Sequence, residues 1–173
     1  MTASLLQLDR DGLAALFRAL ETIDPWHRLG LTEAGMMAEL ADDPAVTALG
    51  VLGEHGAMGG GIVFRTLGAS RELSRWQADA KVARAGFPAD GGYVHDLGTL
   101  PGHRGRGIGP ALLREAECRS AAAGAGAMYL FVSWFNDDAV RFYLREGYSC
   151  LGFVPDVLFA GHVEFLMAKR LTW

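Results

Sequence analysis

Apolar residues recur along this chain at helical and at alternating spacings, and together they predict an ordered series of elements. Residues 4–8 read as a short strand. Leu13, Leu16, Phe17 and Leu20 follow at i, i+3, i+4 and i+7, the stripe of an amphipathic helix with Asp11 as its expected cap. A second helix is expected over 32–41, ended by Asp42-Asp43-Pro44. Two apolar runs, 45–52 and 58–67, flank Glu54-His55-Gly56 and read as a hairpin. In 70–86, Leu73, Trp76, Ala80 and Ala83 repeat at helical spacing, which predicts one amphipathic helix inserted after the hairpin. A strand at 93–100, a long helix at 108–123 and a strand at 127–134 come next. A helix at 137–146 stops at Gly147, a residue suited to the left-handed cap, and two strands near 148–153 and 162–171 close the series. This order implies a mixed sheet covered by helices on both faces, an α/β fold.

With 173 residues and no repeat, linker or low-complexity run, the whole of 1–173 is expected to form one domain. Half the residues are hydrophobic and 21% are charged, a globular balance. The net charge of −4 argues against a nucleic-acid binder, which needs a basic face, and suits a cationic or neutral small partner. The start of the chain lacks a basic region followed by a long apolar run, and no apolar stretch nears the roughly 20 residues that span a bilayer. Neither a signal peptide nor a membrane partner is therefore expected. Cys118 and Cys150 make no disulfide framework or metal motif, and the five histidines are scattered without zinc spacing. The expectation is a cytoplasmic protein with reduced thiols and no metal.

The sharpest local feature is HRGRGIG (103–109), set between a strand and a helix. Gly105, Gly107 and Gly109 let the backbone come close to a ligand and turn N–H groups inward. The helix that begins near Ile108 adds its positive end, and Arg104 and Arg106 add counter-charge, so a phosphate is the natural guest. Spelling excludes two common phosphate loops. Gly107 is followed by Ile108 rather than the lysine of a Walker loop, and a dinucleotide fingerprint from Gly105 would require glycine where Pro110 stands.

LGTLPGHRGRGIGPALL (97–113) resembles the signature of the GNAT superfamily of N-acetyltransferases, whose loop reads Arg/Gln-x-x-Gly-x-Gly/Ala, with Arg104, Gly107 and Gly109 in register. NDDAVRFYLREGY (136–148) resembles that family's second motif through Asn136, Ala139, Phe142, Tyr143, Gly147 and Tyr148. The resemblance covers roughly the second half of the chain. It implies a GNAT-like fold, a mostly antiparallel sheet of six to seven strands with helices on both faces. It implies acetyl-CoA as co-substrate, its pyrophosphate on the amides of Arg104, Gly105, Arg106, Gly107, Ile108 and Gly109. The pantetheine arm would pair with the backbone of Leu97, Gly98 and Thr99 and be held by Asn136, and Tyr143 would stand beside the sulfur.

The chemistry explains such a set. An amine must lose a proton to attack a thioester, the oxyanion needs fixed donors, and the thiolate leaves better when protonated. The resemblance gives the last task to Tyr143 and the donors to the strand amides. The base stays open between His95, Asp96 and an ordered water: His95 works near neutral pH unperturbed, whereas Asp96 needs its pKa raised. Neighbours on a strand point to opposite faces, so only one of the two is expected to face the acceptor.

Of the tryptophans, Trp134 is the pocket candidate, and Trp26 and Trp76 are assigned to core packing. The inserted segment 70–86 reads by default as a cover for the sheet, with a lid or a homodimer element left open. The expected activity is transfer of acetyl from acetyl-CoA to a primary amine, small molecule or peptide, by direct attack. Two rivals remain: an enzyme with another acyl-CoA or a non-amine acceptor, and a module that binds an acyl-CoA without turnover. The acceptor itself is not spelled in the sequence.

Overall fold

The computed structural model describes residues 4–157 and 160–171. Its strands are β1 (Leu6–Gln7), β2 (Val46–Leu52), β3 (Met58–Arg65), β4 (Gly92–Thr99), β5 (Ala127–Ser133), β6 (Ser149–Pro155) and β7 (Val163–Arg170). Its helices are α1 (Arg10–Leu20), α2 (Glu33–Leu40), α3 (Ala69–Arg75), α4 (Asp79–Arg84), α5 (Ile108–Ala122) and α6 (Asp137–Arg145). The strands form one mostly antiparallel seven-stranded sheet in the order β1-β2-β3-β4-β5-β7-β6, and β4 and β5 run parallel. The fold is mixed α/β, as the order of elements implies.

Two elements differ from expectation. The cap of α1 is Asp9, whose side chain accepts the Gly12 N–H at 2.9 Å, while Asp11 lies inside the first turn. Two residues of offset suffice, because only the residue before the first helical one has its carboxyl over the open N–H groups. The segment 70–86 is two helices rather than one. Gln77 turns left-handed (φ 54°), the Ala78 N–H reaches back to the Leu73 carbonyl at 2.8 Å, and α3 ends there. That break rotates the buried face: Leu73, Ala78 and Val82 go inside, and Ala80 and Ala83 are exposed.

The chain divides into two compact units, Met1–Phe64 with Asp96–Ala116, and Arg65–His95 with Glu117–Trp173. In the first, Leu13, Leu16, Phe17 and Leu20 of α1 and Met36 and Leu40 of α2 are buried with Ala48 of β2 and Val63 of β3. α1 lies directly on the backbone of β3: a Cβ on Gly61 would stand 2.6 Å from Leu16 Cδ2. On the other side of that strand, a Cβ on Gly60 would stand 2.6 Å from the Gly98 carbonyl oxygen and 3.3 Å from Ile108 Cγ2. The glycine run of β3 thus lets β4 and the start of α5 approach together.

In the second unit, β5 and β7 pair antiparallel from Ala127↔Arg170 to Ser133↔Glu164, and β4 joins β5 through Gly92↔Met128 to Val94↔Leu130. One face carries Tyr93, Tyr129, Leu166 and Ala168 packed with Leu73 and Val82 of the inserted helices and Ala78 between them. Cover is therefore what the insert provides, and each large apolar side chain so buried contributes about 1.5–3 kcal/mol. The opposite face carries Met128 and Lys169, over which the end of α5 places Ser120 and Glu117. Both faces of this sheet region are helix-covered.

Candidate active site

In the first unit, β4 leads through Leu97, Gly98 and Thr99 into a single turn at Pro101–His103 and then the loop that opens α5. Gly105 and Gly107 have φ of 73° and 77°, and a Cβ on either would meet nothing within 4 Å. The backbone there is left-handed beside open space, a cradle that fits an anionic group on the amides that follow. Arg104 Nε donates to the Thr99 carbonyl at 3.1 Å and so fastens the loop to the strand end. Arg106 is exposed, Ile108 is buried beneath Gly60, and Gly109 lies in the first turn of α5.

Asp96 precedes this strand segment. Trp26 Nε1–H donates to Asp96 Oδ1 at 2.6 Å, and the same ring rests on Gly98, where a Cβ would stand 3.0 Å from Trp26 Cη2. Burial pushes the Asp96 carboxyl up from 3.8 to about 6; the Trp26 bond pulls it down, and the Glu39 carboxylate pushes it further up. A carboxyl in that range is ionised at neutral pH and still basic enough to take a proton. Trp26 is buried, as core packing requires, but it is also the partner that holds Asp96, which the sequence did not reveal.

The second unit holds His95, Asn136 and Tyr143. The His95 ring meets Tyr93 edge-on at 4.8 Å, and its Nε2 accepts from Nε of the buried Arg65 at 3.1 Å. With that lone pair engaged, the neutral ring carries its proton on Nδ1. Asn136 caps α6: its Oδ1 accepts the Ala139 N–H at 3.2 Å, and its own N–H bonds the Ser133 carbonyl at 2.9 Å. Tyr143 is buried with its ring against Phe142 and Tyr148. The Tyr148 hydroxyl donates to Glu117 at 3.0 Å, and Lys169 Nζ donates to the other oxygen of that carboxylate at 2.7 Å. Burial and the Glu117 carboxylate hold the Tyr148 phenol well above its ordinary range, so it stays a donor. Trp134 is 54% exposed just ahead of Asn136, and Trp76 packs against the core with Arg75 over its ring.

Among the described residues, no group of three His, Cys, Asp or Glu side chains could hold a metal, and no helix is long and apolar enough to cross a membrane. Three features escaped the sequence reading: the Trp26–Asp96 bond, the Arg65–His95 bond, and a buried pair in which Ser133 Oγ donates to Glu164 at 2.9 Å.

Similarity to known proteins adds the lineage. A streptothricin acetyltransferase of Streptomyces lavendulae is 39% identical over 59 residues, 34% of this chain and 31% of that protein. An aminoalkylphosphonate N-acetyltransferase of Salmonella typhimurium is 46% identical over 58 residues, 34% of this chain and 38% of its own length. The chain thus spans about a third of the length of these curated relatives. Arabidopsis thaliana NAA60 in complex with acetyl-CoA superposes with a TM-score of 0.75 at 15% identity, over 98% of this chain and 99% of that one, a likeness of fold. The profile of the acetyltransferase (GNAT) family matches residues 16–148, and the chain belongs to that family.

Proposed function

We propose that this protein is one acetyltransferase domain that transfers the acetyl group of acetyl-CoA to a primary amine by direct attack. The observation that carries the reading is the arrangement in the first unit. A carboxyl raised by burial to about 6, against the pull of its hydrogen bond from Trp26, stands just before Leu97, Gly98 and Thr99, and that strand runs into a left-handed glycine loop at a helix start. The loop from Arg104 to Gly109 fits the pyrophosphate by its amides and the helix end. The register of β4 with β5 covers Gly92–Val94. Leu97, Gly98 and Thr99 lie past it, and their backbone is assigned to the pantetheine arm and the developing oxyanion.

Asp96 is the base in this reading. To take a proton at Nε2, His95 would first have to give up Arg65, whereas among the described residues only one Asp96 oxygen is engaged, by Trp26. Asn136 is assigned to the pantetheine through its amide nitrogen, since its Oδ1 caps α6. Tyr143 is assigned to protonate the departing thiolate, with Phe142 and Tyr148 holding its ring in place. Free thiols at Cys118 and Cys150 support a reducing, cytoplasmic setting.

The test compares acetyl-, propionyl- and succinyl-CoA as donors, each with a panel of small amines and peptide N-termini. Amine-dependent thiol release is expected to be fastest with acetyl-CoA. Preference for a longer acyl group, or for acceptors that are not amines, would replace this reading with a different acyltransferase.

A further inference from the structure

The hairpin of β2 and β3 carries two glycines that its own backbone does not call for. Gly53 closes the hairpin, its N–H donating to the Ala57 carbonyl at 2.7 Å, and Gly59 follows on β3. Neither has a left-handed φ, unlike Gly56 in the turn between them (φ 76°), so φ alone leaves both open to a side chain. What stands in the way is chiefly His103. A Cβ on Gly53 would lie 2.1 Å from His103 Nε2 and 3.0 Å from both Cδ2 and Cε1. A Cβ on Gly59 would lie 3.1 Å from His103 Cδ2 and 3.3 Å from Cγ, with the Val51 carbonyl oxygen at 3.2 Å. The half-buried imidazole thus rests on two bare Cα positions, and glycine at both makes the seat.

The place of His103 in the chain gives that seat a use. It ends the single turn Pro101–His103, in which Pro101 and Gly102 are exposed, and the loop assigned to the pyrophosphate follows at once with Arg104, Gly105, Arg106 and Gly107. Gly105 and Gly107 are left-handed with open space beside them, so packing at those two positions does not fix the loop's shape. A cradle of N–H groups binds an anion well when the groups are already aimed, and here the aim has to come from the ends of the loop. At the far end Ile108 is buried at the start of α5. At the near end the Leu100 N–H donates to the Gly59 carbonyl at 3.0 Å, and the His103 N–H donates to the Leu100 carbonyl at 2.9 Å. The His103 ring then returns to Gly59 and Gly53, so backbone and side chain fasten one turn to one hairpin end. All of these residues belong to the first compact unit.

We infer that His103 is a positioning residue for the coenzyme: seated on Gly53 and Gly59, its ring holds the near end of the 104–109 loop in the shape that receives the pyrophosphate. The inference rests on the acetyl-CoA reading above and adds the hairpin end to the machinery of that site.

The test is the calorimetric Kd for CoA in Gly53→Ala, His103→Ala and the double variant. The alanine methyl of Gly53→Ala forces the ring from its seat, and the coenzyme must restore the loop on binding. Kd is therefore expected to rise roughly 5- to 100-fold, the range that one forced methyl contact spans. The KM for acetyl-CoA should rise with it, while kcat at saturating acetyl-CoA, read with the fastest amine of the panel, stays within about twofold. His103→Ala is expected to weaken CoA as well, and Gly53→Ala added to it should change Kd by no more than about twofold, since no ring is left to displace. Wild-type affinity in Gly53→Ala, or a fall in kcat at unchanged KM, would overturn the inference. So would a double variant weakened by the full factor of both changes, because Gly53 would then act without His103. If Gly53→Ala fails to fold, His103→Ala decides alone: a Kd at least about fivefold higher supports the seat, and wild-type affinity overturns it. A wild-type protein that does not bind CoA would instead refute the coenzyme assignment.

Discussion

Replacing Trp26 with phenylalanine keeps a ring near Gly98 and removes the indole N–H that Asp96 Oδ1 accepts at 2.6 Å. In the native protein the Asp96 carboxyl stands at about 6, raised by burial and by the Glu39 carboxylate and restrained by that bond. Losing the restraint can only move it up. Hydrogen bonds to charged groups are worth about 1.5–3 kcal/mol and one pH unit is about 1.4 kcal/mol, so the expected rise is about one to two units. The acidic limb of kcat/KM reports the base of the free enzyme and should therefore move from about 6 to roughly 7–8. At pH 7 the ionised fraction would drop from about nine-tenths to between a half and a tenth, a loss of about two- to tenfold in rate. Raising the pH to about 9 should restore it. The smaller ring also loosens packing against Gly98, but that defect lowers the rate equally at every pH, and the shift of the limb does not. The assay is a pH profile of amine-dependent thiol release for both proteins. A limb that stays at the wild-type pH would refute Asp96 as the base tuned by Trp26.

Gly107→Glu should abolish CoA binding in a folded protein, because it sets bulk and negative charge on a left-handed backbone (φ 77°) where the pyrophosphate is assigned; calorimetry with CoA decides it. Tyr143→Phe keeps the packing on Phe142 and Tyr148 and removes the proton, so single-turnover transfer should slow by about 10²–10⁴-fold at nearly constant KM for acetyl-CoA, and a wild-type rate would make Tyr143 a packing residue only. Glu164 titrates at about 7 folded against its ordinary 4.5, so between those values the folded chain holds a proton that the unfolded chain has lost. This group's contribution to stability thus falls as pH rises through that window, and the excess Tm of Glu164→Gln over wild type should grow from pH 5 to pH 8; a flat difference would contradict the burial argument.

What could be read from the sequence were features written in neighbouring residues. The α1 stripe, the loop from Arg104 to Gly109, and the Gly147 stop of α6 each lie within a few turns of chain, and each is where spacing and residue type place it. The break at Gln77 left no trace, because its left-handed backbone is one that glycine or asparagine normally marks, and nearby residues kept a helical spacing. Long-range partners were hidden for a different reason. Trp26 and Asp96 are 70 positions apart and Ser133 and Glu164 are 31 apart, and only packing or strand register makes them neighbours. A trace of the second pair was present: Glu164 is the one charge near the head of an otherwise apolar run, VEFLMA, that must lie inside. The close passage of Gly60 beside Gly98 was likewise written only as three consecutive glycines in β3, which spacing alone reads as a weak strand.

The central claim is transfer from acetyl-CoA to an amine, and the most direct measurement follows thiol release and N-acetylated product together in one reaction. Incubated with acetyl-CoA and a mixed panel of mono- and diamines, the protein is expected to release CoA only when an amine is present. Each thiol released should be matched by one N-acetylated amine. Thiol release of equal rate without any amine, or acetyl-CoA that stays bound and intact across the whole panel, would contradict the account.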